Sequence, residues 1–253
     1  MQFDPPLREA KLIKRYKRFL ADVKLADGAI ITLHCPNTGS MKNCQQAGSK
    51  IWYSTSTDTK RKYPNTWEIV EVDGGYKVGI NTISANKLVL EAILNNEIVS
   101  LQGYSKVRKE VPYGTQNSRI DILLEDSVNN RSKRCFVEVK NVSLGIGGGK
   151  GLFPDAVTVR GRKHMEELIH IASSSERAVL LFCVQHEGID QVFPADDIDP
   201  VYSRLLREAA VAGVEILAYG TEFDINSSTL RLNRELSVDC LLYTSTLPTN
   251  REV

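Results

Sequence analysis

The sequence predicts an α+β fold, with a small N-terminal β-barrel followed by an α/β domain built on a mixed sheet. Three observations predict it. Up to Asn81 the apolar residues fall in short, turn-bounded runs with a period near two, the mark of half-buried strands. Just after Asn81 the period lengthens to that of a helix. From residue 106 on, strand-like runs are interleaved with helical ones, an order that makes a partly parallel sheet with helices packed on it. At 253 residues and 42% hydrophobic content, the chain is long and apolar enough to bury a full core in either one large domain or two small ones.

The elements follow in order. Residues 12–35 read as strands with a turn at Ala26-Asp27-Gly28-Ala29, and Ile31 and Leu33 alternate with Thr32 and His34. The stretch His34-Cys35-Pro36-Asn37-Thr38-Gly39-Ser40-Met41 is a loop dense in turn formers. Residues 49–57, with Ile51, Trp52 and Tyr53, are another strand. Residues 66–72 and 76–80 form two more, joined by Asp73-Gly74-Gly75. Short strands interleaved with basic and aromatic residues suggest a small five-stranded barrel of the oligonucleotide-binding kind, OB-fold-like, which pattern alone does not separate from other small barrels. Ala85, Leu88, Val89, Ala92 and Ile93 then recur at helical spacing behind Ser84, the expected N-cap, with Glu91 on the edge of the stripe.

Residues 106–113 predict a strand, followed by two more around Ile120-Asp121-Ile122 and Phe136-Val137-Glu138-Val139-Lys140, paired as a hairpin across Asn129-Asn130. The glycine-rich run Gly145-Ile146-Gly147-Gly148-Gly149-Lys150-Gly151 has the wrong spacing for a phosphate loop, and no Ser or Thr follows its lysine; it reads as a flexible loop beside the hairpin. Residues 162–173 are a helix with Met165, Leu168, Ile169 and Ala172 inward, and residues 178–184 a buried strand. Asp199-Pro200 opens a helix that ends at Gly213, and residues 214–218 form the next strand. From Thr221 the chain turns polar, but Leu230, Leu232, Leu236 and Val238 keep a period of two, so an added hairpin is expected before a loose end at residues 244–253.

The hairpin carries the chemistry. Residues two apart on a strand share a face, so Glu138 and Lys140 project together. Two carboxylates and a lysine inside apolar strands are costly to bury without partners. A divalent cation, Mg²⁺ or Mn²⁺, held by Asp121 and Glu138 would supply one, with Lys140 beside it to orient a water against a phosphate. Asp-x-n-Glu-x-Lys is nonetheless a loose pattern, and a surface hairpin with solvated charges fits it equally well.

Charge is +1 overall but uneven. Residues 8–18 hold six basic residues and one acid, Lys60-Arg61-Lys62 forms a second cluster, and Lys106, Arg108 and Lys109 a third, with Tyr16, Phe19, Tyr63 and Trp67 nearby. Local cationic patches on a near-neutral chain suggest a directed polyanion-binding face rather than a globally basic protein. Arg160, Lys163 and His164 sit at a helix start, where anions are favoured. No apolar run is long enough for a bilayer, no export signal opens the chain, and five scattered cysteines form no CxxC pair, so a cytoplasmic protein without membrane association is expected.

Longer motifs resemble a known family. Met1-Gln2-Phe3-Asp4-Pro5-Pro6-Leu7, Arg15-Tyr16-Lys17-Arg18-Phe19, the His34 to Met41 loop, Lys60-Arg61-Lys62-Tyr63-Pro64, Ser118-Arg119-Ile120-Asp121, Phe136-Val137-Glu138-Val139-Lys140-Asn141-Val142, Phe153-Pro154-Asp155-Ala156-Val157-Thr158 and Arg160-Gly161-Arg162-Lys163-His164 look like the sugar fermentation stimulation protein A (SfsA) family, in order and up to about Gly220. The resemblance implies an OB-fold-like domain over residues 1–82, a PD-(D/E)XK nuclease-like α/β domain over 83–220 and an extension over 221–253. It implies DNA binding linked to transcription of maltose and other sugar utilisation genes in bacteria. It carries the nuclease motif onto Asp121, Glu138 and Lys140, with Glu91 as the helix acid. Here Ile120 stands where the motif's name has proline, and Pro154-Asp155 has no Glu-x-Lys after it at strand spacing.

Three functions compete. A DNA-binding regulator would contact phosphates through Arg15, Lys17, Arg18, Lys60, Arg61 and Lys62, with Tyr16, Phe19 or Trp67 stacking on bases or packing the barrel. A Mg²⁺-dependent nuclease acting on DNA or RNA would use Asp121, Glu138 and Lys140, with Arg160 or Lys163 steadying the phosphodiester. A binding module would keep the nuclease fold without the chemistry, but acid, acid and lysine are all present. DNA binding ranks first, with nuclease activity close behind.

Overall fold

A computed structural model describes residues 1–114, 118–128, 131–174 and 176–240. Two sheets hold the chain. The first contains β1 (Arg8–Tyr16), β2 (Leu20–Lys24), β3 (Ile30–His34), β4 (Lys50–Thr55), β5 (Asn65–Glu71) and β6 (Lys77–Gly79), in the order β3-β2-β1-β4-β5-β6. A parallel bridge between His34 and Thr66 joins β3 to β5 and closes the five-stranded barrel that the alternating pattern predicts. Its interior is filled by Leu12, Val23, Leu33, Ile51, Trp67 and Val70. The stretch expected to hold one turn holds two: besides the turn at residues 26–29, Lys17 and Arg18 both take positive φ in a tight turn from β1 to β2. Neither residue is Gly or Asn, so the usual composition signal for that turn is missing.

The helix α1 (Thr82–Leu94) follows β6. Its N-cap is Asn81, whose side chain accepts from the Ile83 N–H, and not Ser84, which lies buried in the first turn. Then come β7 (Lys106–Tyr113), β8 (Ser118–Val128), β9 (Arg131–Val142), β10 (Leu144–Gly145), β11 (Lys150–Phe153), α2 (Val159–Ser173), β12 (Arg177–Val184), β13 (Gln191–Pro194), α3 (Pro200–Val211), β14 (Glu215–Asp224) and β15 (Thr229–Val238). The expected hairpin is β8 and β9. The Asn129-Asn130 turn and the loose end at 244–253 lie outside the described residues.

The second sheet runs β10-β11-β13-β15-β14-β12-β9-β8-β7. Within it β9, β12 and β14 are parallel neighbours, as the strand–helix–strand–helix–strand order requires, and β7–β8, β8–β9 and β14–β15 are antiparallel. The helix α1 packs on one face, over Ile122, Leu124, Val137, Val139 and Val179. On the other face α2 and α3 bury Met165, Leu168, Tyr202 and Leu206 against Phe136, Leu180 and Phe182.

One boundary is corrected. The strand β14 continues across Gly220 and Thr221, where its register with β15 shifts, and β15 lies between β13 and β14, so the residues expected as an extension supply an interior strand. Their polarity misled because alternate residues of β15 face solvent, while Leu230, Leu232 and Leu236 are buried. The first residues, assigned by sequence to the barrel, instead cross to this second sheet. Gln2 bridges Thr229, the Phe3 N–H bonds the Ser228 carbonyl, and Met1, Phe3 and Leu7 pack on the α1 core.

The barrel is fastened at several points. The Ser40 hydroxyl donates to the Asp155 carboxylate at 3.0 Å, the Asn43 amide to the Gly145 carbonyl at 3.2 Å, and Lys77 pairs with Glu187 at 3.2 Å. The motif around Pro154-Asp155 therefore ties the barrel loop at 35–41 to the second sheet. Among the described residues, no helix is long and apolar enough to cross a membrane.

Candidate metal centre

Asp121 sits where β8 parts from β9. The ladder between them ends at Ile122 and Val137, and the Asp121 carboxylate takes the next free backbone donor, the Val139 N–H, at 2.8 Å. Its other oxygen accepts from the Asn86 amide of α1 at 2.8 Å. One carboxylate thus replaces a missing ladder bond and pins α1 to the splayed strands.

Glu138 and Lys140 project together, as strand alternation demands. Lys140 Nζ lies 2.6 Å from Glu138 Oε1, and His164 Nδ1 from α2 makes a very short contact with the same oxygen. His164 Nε2 in turn receives Arg160 Nε at 3.4 Å. Glu138 is 1% exposed, and its second oxygen, Oε2, is buried without a partner.

The two carboxyls titrate in opposite directions. Burial raises Asp121, the negative charge of Glu138 raises it further, and the bonds from Val139 and Asn86 with the Lys140 charge only partly compensate. Burial would raise Glu138 as well, but Lys140 and His164 outweigh it and hold that carboxyl below its usual range. Glu138 is therefore the firmly charged member, and Asp121 is the one that would gain most from a cation. Tyr113 and Tyr202 sit within the field of Glu138; both are pushed up, first by burial and then by that charge, and both hydroxyls are buried and unpartnered.

Asp121 opens into a cleft of about 490 Å³. One wall is α1, with Ile83, Asn86, Lys87 and Leu90; the other is β7 and β8, with Lys109, Glu110 and Ile122; Arg160 of α2 completes it. Among the described residues, no three His, Cys, Asp or Glu side chains are already gathered as a metal cage. A divalent ion here would be held by Asp121 and Glu138, with water or a backbone carbonyl near Val139 completing the shell. The orphaned Glu138 oxygen and the like charge raising Asp121 fit such an ion.

The other expected site residues divide. Glu91 does not join the centre: its carboxylate pairs with the Met1 amino group at 2.7 Å, because its position on α1 faces β15 and not the cleft. The glycine run is not beside the centre either. It forms the β10–β11 hairpin against the barrel and lines a separate cavity of about 280 Å³ with Tyr76 and His186. Arg15 is spent on structure, its guanidinium holding the carbonyls of Arg18, Asn37 and Gly39.

Lys17, Arg18, Lys60, Arg61, Lys62, Arg160 and Lys163 are exposed. Arg61 and Lys87 both act on the buried Glu68, so the second basic cluster adjoins the α1 wall of the cleft. Trp67 packs the barrel and donates its indole N–H to the Ile69 carbonyl, and Tyr16 bonds Asp22, while Phe19 stays exposed. Sequence reasoning missed Asn86, Lys87, Tyr113 and Tyr202, and noted His164 only as part of a helix start. A polar Asn one residue past the buried Ser84 and Ala85 was the one signal for Asn86.

Comparison with known proteins agrees with this architecture. The model of the SfsA N-terminal OB domain matches residues 13–80, and that of the sugar fermentation stimulation protein RE domain matches residues 83–227. Sugar fermentation stimulation protein homologs resemble the chain at 53% identity in Shewanella woodyi, covering 91% of this chain and 97% of that one, and at 51% in Pseudomonas paraeruginosa, covering 94% and 99%. The structure of Pyrococcus furiosus SfsA in complex with Ca²⁺ superposes with a TM-score of 0.82 at 27% identity, covering 94% of this chain and 98% of that one. With both domain models matched and half the residues shared along nearly the whole length, the chain belongs to the sugar fermentation stimulation protein (SfsA) family.

Proposed function

We propose that the protein binds nucleic acid and carries a divalent-metal phosphodiesterase centre at Asp121, Glu138 and Lys140. The observation that carries this reading is Glu138 itself: a buried, charged carboxylate with one oxygen engaged by Lys140 and His164 and the other unpartnered, beside a second carboxylate whose proton affinity it raises. A bound Mg²⁺ or Mn²⁺ would neutralise both acids and polarise a phosphate oxygen. The structure of the Pyrococcus furiosus relative is a complex with Ca²⁺, which supports a divalent cation as a ligand of this chain.

The chain's own groups have separable tasks. The Val139 N–H and Asn86 fix Asp121 in place. Lys140 is held at the Glu138 carboxylate, where its ammonium can orient a water and donate a proton. Arg160 and Lys109 line the cleft and would carry the phosphate. The exposed cations of the barrel loops, Lys17, Arg18 and Lys60 to Lys62, supply salt-sensitive backbone contacts that carry no sequence information. That surface also favours the second reading, a DNA-binding regulator of sugar utilisation genes that uses the ion to organise contact.

One incubation series tests both. Purified protein meets single- and double-stranded DNA and RNA in Mg²⁺, Mn²⁺ or EDTA, beside Lys140→Ala and Glu138→Ala, and metal-induced thermal shifts report binding independently. Metal-dependent cleavage lost in both variants is expected. Binding without cleavage in every condition leaves the regulator reading, and cleavage that survives Lys140→Ala refutes the assigned centre.

A further inference from the structure

The cleft beside Asp121 has a character that a phosphate site alone does not need. Its α1 wall presents Ile83, 62% exposed, and the half-buried Leu90 two turns further along the same stripe, above the buried Ile122. Lys87, Lys109 and Arg160 surround this apolar surface. A single exposed aliphatic residue would need no explanation. With three cations against the single rim acid Glu110, and Asp121 at its end, this apolar wall is complementary to a ligand with a flat apolar part and a phosphate.

We infer that the cleft receives one unstacked nucleotide of a single strand, its base against Ile83 and Leu90 and its phosphate toward Arg160 and Lys109. This rests on the reading of Asp121 and Glu138 as a phosphodiester centre. A duplex hides its base faces by stacking and shows phosphates and groove edges, where the thymine methyl is the one apolar contact open to an aliphatic wall. A single strand exposes those faces and gains by burying them. Size points the same way. Asp121 lies in a cleft of about 490 Å³, within the range of pockets that receive small ligands and so of a size for one nucleotide.

The test uses fluorescence anisotropy in EDTA, with a fluorescein-labelled single-stranded DNA 20-mer and its duplex, on the wild type and Ile83→Ser. Ile83 is exposed in the first turn of α1, where serine is tolerated, and circular dichroism checks the fold. The single strand should bind about tenfold tighter than the duplex, and Ile83→Ser should remove most of that preference while leaving duplex affinity unchanged. Equal affinity for both forms, or a preference untouched by Ile83→Ser, overturns the inference. Cleavage of the same oligonucleotides in Mn²⁺ is scored separately. Equal cutting of both forms refutes the single-strand inference and leaves the metal centre standing. Ile83-dependent single-strand binding without cutting in any metal supports the pocket and removes the nuclease reading.

Discussion

Asp199 is the joint that sets the start of α2, and removing its carboxylate should be expensive. The side chain is fully buried and has four donors. Its Oδ1 accepts from the Tyr202 N–H, as the N-cap of α3, and from Arg162 at 2.7 and 3.2 Å, while Oδ2 accepts from the Thr158 N–H at 2.9 Å. Thr158 is itself the N-cap of α2, from which Arg160 and His164 project. Losing an N-cap costs about 1 kcal/mol. Breaking a buried ion pair costs about 3–5 kcal/mol, and the low end applies because Arg162 is 26% exposed and can rehydrate. Asp199→Ala should therefore lose about 4 kcal/mol, or about 8–16 °C in Tm for a chain of this size. Calorimetry and a urea series with unchanged m-value measure it, and Asp199→Asn should fall between. Burial opposes ionisation here, but Arg162 and the two backbone donors outweigh it and hold the pKa below the usual range. That stabilisation is present above the unfolded pKa and lost as pH falls through the folded value, so the gap between wild type and variant should close in acid. A loss below about 1 kcal/mol at neutral pH would refute the role of this carboxylate as the joint.

Two further outcomes bear on the centre. Asp121→Asn in EDTA should raise Tm at pH 7–8, and the gain should vanish toward pH 4 (about the pKa of a free Asp). The folded pKa is raised, so the wild-type carboxyl is tolerated below its unfolded pKa and becomes a penalty as pH rises through the folded value. Asn keeps an acceptor for the Val139 N–H, and Asn86 can turn to accept from the new amide; an unchanged or lowered Tm would show that the strain is absent. Glu91→Gln should cost at most about 1 kcal/mol in thermal denaturation, since its partner pair is 44% exposed on the Glu91 side, and should leave metal-induced thermal shifts unaltered. A lost metal response would return Glu91 to the site.

Much of the fold was legible because burial imposes a period. The barrel strands, the β8–β9 hairpin, the parallel trio β9, β12 and β14 and the Asp199-Pro200 cap all follow from local patterns that tertiary packing reinforces. Legibility failed where structure depends on partners far along the chain. The interior place of β15 is set by pairing with β13 and β14, and a polar outer face gives no hint of it. The four-residue β13 is too short to carry a period. At the centre, Glu138 and Lys140 were readable from strand alternation alone. Asn86, His164 and Tyr202 were not, because each reaches the site from a different helix, and one-dimensional spacing does not encode which helix faces which strand end. Glu91 failed for the same reason: the edge of an apolar stripe has two sides, and only the packed structure says which one meets Asp121.

The centre is hard to explain as a structural salt bridge. If Glu138 served only to pair with Lys140, its second oxygen would be buried without return, and an apolar residue of similar volume would be neutral or stabilising there. Asp121 adds a like charge that burial alone already disfavours. Tyr113 and Tyr202 contribute two more buried hydroxyls without partners, both within the field of the same carboxylate. A stable protein usually satisfies such groups, at about 1–3 kcal/mol for each one left orphaned. Among the described residues, the second Glu138 oxygen and the two tyrosine hydroxyls are three such groups, and the same carboxylate acts on both tyrosines. On the proposed reading, a divalent cation held by Asp121 and Glu138 would offset the like charges that burial disfavours here.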